Sequence, residues 1–400
     1  MDKIRLIVAQ GPLQLITAIT ALRHKDTVKQ SETYQDILVL GYYCGVELDE
    51  VCLQIARSWN FASILSFRQF EYLYTTGQAD FPALTKILRD NLNIPQVDSV
   101  YVCRNWQLIN EAFLNAYPEA NKYCYGDGIG FIDIKRNGDE TPSQALSPSG
   151  YVEIDHSFLI VAHHWTKPID SFPHTLIDPG FLRITVLEAV KQIDYLKEYC
   201  DQIISIAGSK LSIALTSNHT ESGCFRGHLE EVECYYNCLN RHGDKDSTLL
   251  IKSHPREMHQ QSQILGQILS EQGWKVLLIS EPFSKVPIEL FLAHLHPQIV
   301  HSFFSGSCMS IAYLYGTTLN IGIGEDLLKQ YYTGDTLAKA LYEEQIFSIF
   351  ASQGANKTFH KIDSLEVLAE VRNNNIRHQH PIHHAQLDLV SVAHSNEITY

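Results

Sequence analysis

The sequence predicts an α/β protein made of two units with parallel sheets. Short apolar runs alternate with amphipathic stretches of helical length along most of the 400 residues. Strands that alternate with helices favour parallel sheets with helices on both faces. A stretch rich in Pro, Ser, Gly and Asp, roughly residues 137–182, separates two such alternating regions. We therefore expect two α/β units of similar size, with a boundary near residues 180–205.

In the first half, buried runs predict strands and apolar residues at helical spacing predict helices. The turn Gln10-Gly11-Pro12 follows the first strand. The predicted strands are 4–9, 36–40, 99–103, 123–125 and 158–162. The predicted helices are 13–22, 48–59 and 106–116.

In the second half, a long helix is predicted over residues 182–199, and the alternation then resumes. The predicted strands are 211–216, 249–252, 276–279, 299–303 and 319–323. The predicted helices are 227–239, 258–269, 287–293 and 307–314. Two such units imply a cleft between them, and loops at the carboxyl ends of strands would present the ligand-binding groups.

The composition is that of an ordinary globular protein with an acidic surface. Hydrophobic residues make up 45% and charged residues 19%, and the formal net charge is −14. This balance disfavours a nucleic-acid binder, which needs a basic field. No apolar run reaches the ~20 residues that span a bilayer, and no signal peptide is evident. The expectation is a cytoplasmic protein, with peripheral attachment to a membrane left open.

Metal binding finds little support in the sequence. The nine cysteines show no CxxC pair or zinc spacing, which favours buried reduced thiols. Histidines cluster in the C-terminal tail at 378–384, and His163 is followed by His164. We expect a solvated tail there, with a metal site as the alternative.

The first candidate for chemistry is the run Tyr125-Gly126-Asp127-Gly128, where a predicted strand ends. Gly126 and Gly128 permit positive φ and a close approach of substrate. Asp127 would then be presented at the carboxyl end of a strand, where a carboxylate could accept a proton from an attacking hydroxyl. The alternatives are an ordinary Asp-Gly turn and Asp133 in the same role.

The second candidate is Lys252-Ser253-His254-Pro255-Arg256. A predicted strand ends here, and Pro255 suits the first position of a helix. His254 would then lie just before a helix N-terminus, where a phosphate is favoured, and its imidazole could act on a departing phosphate oxygen. Lys252 and Arg256 add positive charge. The alternative is a capping histidine in a satisfied network.

The third candidate is the serine-rich turn that begins at His301. Ser305 and Ser307, together with helix N–H groups, would form an anion-binding nest, and the alternative is a simple serine N-cap. The stretch reads Phe-Ser-Gly-Ser-Cys rather than GxSxG. This makes a hydrolase triad or a catalytic Cys308 improbable.

Together these features resemble the bacterial sialyltransferases and polysialyltransferases. Those enzymes carry an acidic-acidic-glycine motif, a His-Pro motif and a serine-serine/threonine motif in this order, and the opening turn at Gly11 is also similar. The resemblance covers about residues 4–325. It implies a GT-B fold, in which two Rossmann-like domains face a deep cleft.

The resemblance also implies an inverting reaction. Sialic acid moves from CMP-sialic acid to a glycan hydroxyl, without a metal or other cofactor. The first domain, 1–190, would be the acceptor side and the second, 191–360, would bind the nucleotide sugar, followed by a C-terminal helix and tail, 361–400. Carried over, Asp127 is the base and His254 the phosphate partner. The residues expected to bind the donor are Lys252, Pro255, Glu289, Ser302, Ser305 and Ser307.

Glu289 is expected in the first turn of a helix, where it resembles the acidic residue that grips the cytidine ribose. Two departures from the family pattern stand out: Gly126 occupies the first acidic position, and Cys308 replaces the second serine. They leave two alternatives open. One is a related transferase that uses CMP-Kdo or a UDP-sugar, and the other is a non-catalytic homologue that binds a nucleotide or glycan.

Overall fold

In the computed structural model, the chain divides into two compact units, with the boundary between Ile193 and Asp194. The structure describes residues 3–28, 33–41, 48–66, 73, 76–94, 96–126, 128, 151–160, 173–221, 223–303, 305, 307–315, 319–332, 334, 336–338, 340–341 and 344. Within these residues, no helix is both long enough and apolar enough to cross a bilayer.

The first unit is a parallel sheet with helices packed on it. Its strands are β1 (Lys3–Ala9), β2 (Tyr34–Leu40), β3 (Ser63–Ser66), β4 (Ser99–Val102), β5 (Asn121–Cys124), β6 (His156–Leu159) and β7 (His174–Leu176). Its helices are α1 (Pro12–Val28), α2 (Asp49–Ala56), α3 (Phe81–Leu92), α4 (Leu108–Ala116) and α5 (Pro179–Val190). The strand order is β3-β2-β1-β4-β5-β6-β7.

The second unit repeats this plan with fewer strands. They are β8 (Leu211–Leu215), β9 (Thr248–Lys252), β10 (Lys275–Leu278), β11 (Ile299–Ser302) and β12 (Leu319–Ile321), in the order β10-β9-β8-β11-β12. The helices are α6 (Leu196–Ala207), α7 (His228–His242), α8 (Gln261–Glu271), α9 (Ile288–Phe291), α10 (Ser307–Tyr315) and α11 (Glu325–Tyr331), with a 3₁₀ turn at Phe283–Lys285.

Every strand pair in both sheets is parallel, which confirms the predicted α/β class. Strands such as β8 and β9 are buried along their whole length, because helices cover both faces of the sheet. The strand order reverses between β1 and β4 in the first unit and between β8 and β11 in the second. In open α/β sheets, ligands bind at the carboxyl ends of the strands at such a point.

The predicted helix over 182–199 is wrong as one element, because two helices occupy this stretch. After Val190 the chain forms a tight turn, in which the Ile193 N–H donates to the Val190 carbonyl three residues back. Tyr195 then adopts a left-handed φ of 60° just before α6 begins. The apolar spacing hides this break, since Ile193 and Leu196 are both buried.

The prediction also missed β3, α3 and β7. The start of α3 did carry a signal. The Asp80 carboxylate caps the helix by accepting from the Ala83 N–H at 2.9 Å, and Pro82 lies in the first turn. Asp followed shortly by Pro is typical of a helix N-terminus. β3 is a four-residue strand at the edge of the sheet, too short for a clear apolar run.

Candidate functional site

The second unit collects most of the candidate residues at one edge of its sheet. β8 lies between β9 and β11, so the carboxyl ends of these three strands are neighbours. Thr216 follows β8, and the His-Pro segment follows β9. Ser302 ends β11 and leads into the serine-rich turn. The topology therefore brings the His254 and Ser307 motifs, separated in sequence, to the same switch point.

His254 is held by two hydrogen bonds that fix its chemistry. Its backbone N–H donates to the Thr216 hydroxyl at 3.2 Å, and its Nδ1 accepts from the Arg256 backbone N–H at 3.1 Å. A neutral imidazole has one ring N–H, so the proton lies on Nε2. No residue in the described part of the chain accepts from the Nε2–H of His254, which can therefore serve as a hydrogen-bond donor.

The charge state of His254 follows from its surroundings. Burial, followed by the positive charges of Arg256, Lys252 and His219, lowers the pKa of His254 from the ordinary 6.5 to about 3. The imidazole is therefore neutral at pH 7 in the nucleotide-free protein. In that state it can donate a hydrogen bond but has no spare proton to release.

This depressed pKa predicts a specific pH dependence of stability. Between pH 6.5 and about 3 the unfolded chain protonates His254 while the folded chain does not. The unfolded state then binds more protons, so the free energy of unfolding falls as the pH falls, by up to roughly 1.4 kcal/mol per pH unit from this group.

Urea unfolding of the wild type and of His254→Gln at pH 7.5 and 4.5 measures this effect. We expect the variant to lose less stability than the wild type over this interval, since it lacks the titrating group. An equal loss in both proteins would contradict the neutral, buried state of His254.

The prediction that His254 lies just before a helix N-terminus is wrong. Pro255 begins a turn that the Glu257 N–H closes on the His254 carbonyl at 3.0 Å, and α8 begins only at Gln261. The fixed φ of proline suits a turn as well as a helix start. Gln260, with a left-handed φ of 56°, separates the turn from the helix. A helix dipole therefore does not act directly on His254.

Lys252 is buried and bound to backbone. Its Nζ donates to the Ser284 carbonyl at 2.6 Å, which joins the end of β9 to the 3₁₀ turn. Burial lowers the pKa of Lys252 to about 8, although the carboxylates of Glu289, Glu281 and Glu257 act in the opposite direction. The ammonium thus contributes positive charge beside the His-Pro turn from a fixed position.

The serine motif combines a cap with a buried hydroxyl. The Ser305 hydroxyl accepts from the Ser307 backbone N–H at 3.3 Å at the start of α10. Ser302 is 3% exposed, and among the described residues its hydroxyl has no hydrogen-bond partner. Because buried hydroxyls are usually satisfied, Ser302 is an unmet hydrogen-bonding group at this end of β11.

Glu289 lies in the first turn of α9, as predicted, but its carboxylate is engaged within the protein. It is buried and accepts a hydrogen bond from the Ser310 hydroxyl of α10. The Glu289 backbone carbonyl accepts from the Tyr315 hydroxyl at 2.6 Å. These contacts tie α9 to the helix that carries the serine motif.

Sequence reasoning missed the carboxylates that shape this edge. Glu231 in α7 is fully buried and accepts from the backbone N–H groups of His219 and Thr220, at 3.0 and 3.1 Å. The hydroxyls of Thr220 and Tyr235 also donate to it. Glu257 accepts from the Thr216 hydroxyl at 3.1 Å. Glu257 directly follows the Lys-Ser-His-Pro-Arg run, a signal that could have marked it.

In the first unit, the structure describes the residues on both sides of Asp127 but not Asp127 itself. Gly126 and Gly128 have φ of 81° and 54°, the left-handed conformation that glycine favours. The Gly128 carbonyl accepts from the Thr17 hydroxyl at 2.8 Å, which holds this turn against α1. Gly11 starts α1, since its carbonyl accepts from the Leu15 N–H.

Several residues named in the sequence analysis lie outside the described part of the structure: Asp133, the side chain of Cys308, the His163-His164 pair and the histidines of the tail. Among the residues that are described, no group of three or more His, Cys, Asp or Glu side chains could hold a metal ion.

One segment of the chain matches the model of a protein family. Residues 187–320 match the alpha-2,8-polysialyltransferase (POLYST) family. This confirms the resemblance found in the sequence. The candidates inside the matched segment are Lys252, His254, Pro255, Glu289, Ser302, Ser305 and Ser307. Asp127 lies outside it. No curated protein sequence matches the chain.

Comparison with solved structures concerns the whole chain. The UDP co-structure of S. aureus MnaA has a TM-score of 0.52 at 14% identity, covering 95% of this chain and 99% of its own. The UDP-GlcNAc 2-epimerase of Methanocaldococcus jannaschii has a TM-score of 0.51 at 10% identity, covering 86% of this chain and 92% of its own. At such identities the similarity concerns the fold, and with the two Rossmann-like units it confirms the GT-B class.

Proposed function

We propose that this glycosyltransferase moves sialic acid from CMP-sialic acid to a glycan hydroxyl. The match of residues 187–320 to the polysialyltransferase family supports this reaction. A nucleotide-sugar donor and a glycan acceptor follow from the transferase family. The observation that carries the finer proposal is His254: a neutral imidazole at the carboxyl end of β9 with its proton on Nε2.

That arrangement suits the departure of CMP. As the bond from the sugar to the phosphate breaks, negative charge grows on the phosphate oxygen. Donors already placed where the charge develops stabilise the transition state. We propose as such donors His254 Nε2–H and the Ser302 hydroxyl, which has no partner among the described residues. We propose that Ser305 and Ser307 order the start of α10 for the same phosphate.

The nearby charges explain how this site could tolerate an anion without a metal. Lys252 and Arg256 both lie close enough to lower the pKa of His254. A bound phosphate would offset that positive charge. The Nε2–H of the neutral His254 imidazole would then donate to the leaving phosphate oxygen, and the proton stays on Nε2.

On the acceptor side, we propose that Asp127 removes the proton from the attacking glycan hydroxyl. Inversion at the sugar carbon needs the base and the leaving phosphate on opposite sides of it. The resemblance gives the base role to the acidic motif, and Gly126 in the first acidic position leaves Asp127 as its carboxylate.

We propose a cytoplasmic enzyme that is able to associate with a membrane surface and does not bind nucleic acid. The thiols support the reducing compartment, because among the described residues Cys52, Cys200, Cys234 and Cys238 are buried and form no disulfide. The net charge of −14 disfavours nucleic acid.

Nucleotide preference tests the donor. A ligand that binds only the folded state raises the melting temperature, so we expect CMP to stabilise the protein more than UDP at equal concentration. Lys275→Ala, a change at an exposed lysine at the amino-terminal start of β10 and so at the opposite edge of the sheet, serves as a control for unspecific charge effects. A larger shift with UDP than with CMP would transfer the proposal to a UDP-sugar.

Release of CMP from CMP-sialic acid then tests the reaction itself. We expect turnover with some member of a panel of sialylated and neutral glycans, and slow hydrolysis without acceptor. CMP binding with neither activity would favour a non-catalytic homologue.

A further inference from the structure

The Glu257 carboxylate has no role in the proposed reaction, but it forms hydrogen bonds next to the turn that begins at His254. Glu257 Oε1 accepts from the Ser262 backbone N–H at 3.0 Å and from the Ser262 hydroxyl at 2.6 Å. Its Oε2 accepts from the Thr216 hydroxyl at 3.1 Å. One side chain therefore joins the end of β8 to the first turn of α8.

Thr216 carries this contact to His254. A hydroxyl has one proton and two lone pairs. Because Thr216 donates its proton to the Glu257 carboxylate, its oxygen faces the His254 backbone N–H as the acceptor, at 3.2 Å. The Lys252 carbonyl also lies 3.4 Å from this hydroxyl, but the charged and closer carboxylate is the stronger acceptor. Glu257 thus determines that the Thr216 hydroxyl donates to the carboxylate and accepts from the His254 backbone N–H.

The turn is also closed from within. The Glu257 N–H donates to the His254 carbonyl, and the Arg256 N–H donates to His254 Nδ1. Both bonds require the backbone of residues 254–257 to keep one conformation. The Glu257 side chain anchors the backbone that carries the imidazole to β8 and α8.

We propose that Glu257, acting through Thr216, is a positioning residue for His254 that keeps Nε2–H directed at the leaving phosphate. The proposal rests on the function proposed above for His254. It differs from a carboxylate that orients a histidine by direct contact, because here the backbone N–H of Arg256 occupies Nδ1.

Two substitutions at Thr216 separate the hydrogen bond from the shape of the side chain. Thr216→Val keeps the shape and removes the hydroxyl, while Thr216→Ser keeps the hydroxyl. We expect Thr216→Val and Glu257→Gln to lower the kcat of CMP release about tenfold through misplacement of the imidazole. The KM for CMP-sialic acid should change far less, and Thr216→Ser should retain most of the wild-type kcat.

Glu271→Gln is the matched control, since it makes the same chemical change at the exposed end of α8. We expect it to leave kcat unchanged. Should Glu257→Gln fail to fold, the Thr216 pair still decides the question. Wild-type kcat in Thr216→Val would overturn the proposal, as would an equal loss in Thr216→Val and Thr216→Ser.

A readout without turnover keeps this proposal distinct from the proposed function. Nitrogen-15 NMR of the imidazoles in the nucleotide-free protein, with His254 assigned by its loss in His254→Gln, reports the tautomer. We expect the Nε2–H form in the wild type and a mixture in Thr216→Val and Glu257→Gln. An unchanged tautomer in both variants would contradict the positioning role. If the wild type released no CMP while the tautomer still shifted, the proposed function would fail and the positioning role would stand.

Discussion

His254→Ala is expected to lose transfer activity by a factor on the order of 10² or more, because the developing charge on the phosphate loses a preorganised donor. A tenfold change in rate corresponds to about 1.4 kcal/mol in the barrier, so this loss is about 2.7 kcal/mol. This size lies within the roughly 10²- to 10³-fold loss that follows removal of one preorganised hydrogen-bond donor. The measurement is the initial rate of CMP release with a saturating glycan acceptor.

A binding measurement accompanies this rate. His254→Ala should still bind CMP, since Ser302 and the start of α10 remain, which shows that the unit is folded. His296→Ala, a change at an exposed histidine of the same unit, should keep wild-type turnover. Near-normal turnover in His254→Ala would remove this residue from the mechanism.

Asp127→Asn should separate binding from chemistry more cleanly. The change keeps the size of the side chain and removes its ability to accept a proton from the acceptor hydroxyl. General base catalysis contributes roughly 10²- to 10⁴-fold, and we expect a loss in that range. Binding of CMP should be unchanged, because the expected donor residues all belong to the second unit.

Asp133→Asn is the informative partner of this experiment, since Asp133 is the alternative base in the same stretch. If Asp133→Asn abolishes transfer while Asp127→Asn does not, the base is Asp133. If both variants keep their activity, the base lies elsewhere and the acidic-motif comparison fails.

The fold could be predicted because its signals are local. Residues 6–9 of β1 and 249–251 of β9 are continuous apolar runs, and each strand is followed by a turn. The repeated alternation of strands with helices then allowed little besides parallel sheets. The elements that were missed or merged carry weak local signals: β3 is short, and the break between α5 and α6 lies within an unbroken apolar spacing.

The site was harder to predict than the fold. The strand ends that carry Lys252 and Ser302 could be located from the sequence, and with them the motifs. The conformation after the strand could not, because Pro255 is equally suited to a turn and to a helix start. The role of Glu257 could not be predicted either. Its partner Thr216 is distant in sequence, and the two residues are brought together because β8 and β9 are neighbours in the sheet.

The buried carboxylate of Glu231 has a consequence for the loop after β8. Its oxygens already saturate the amides of His219 and Thr220, much as an anionic ligand would. The loop is therefore ordered before any ligand binds. Its conformational entropy is given up during folding, so a ligand that contacts this loop would not have to order it again.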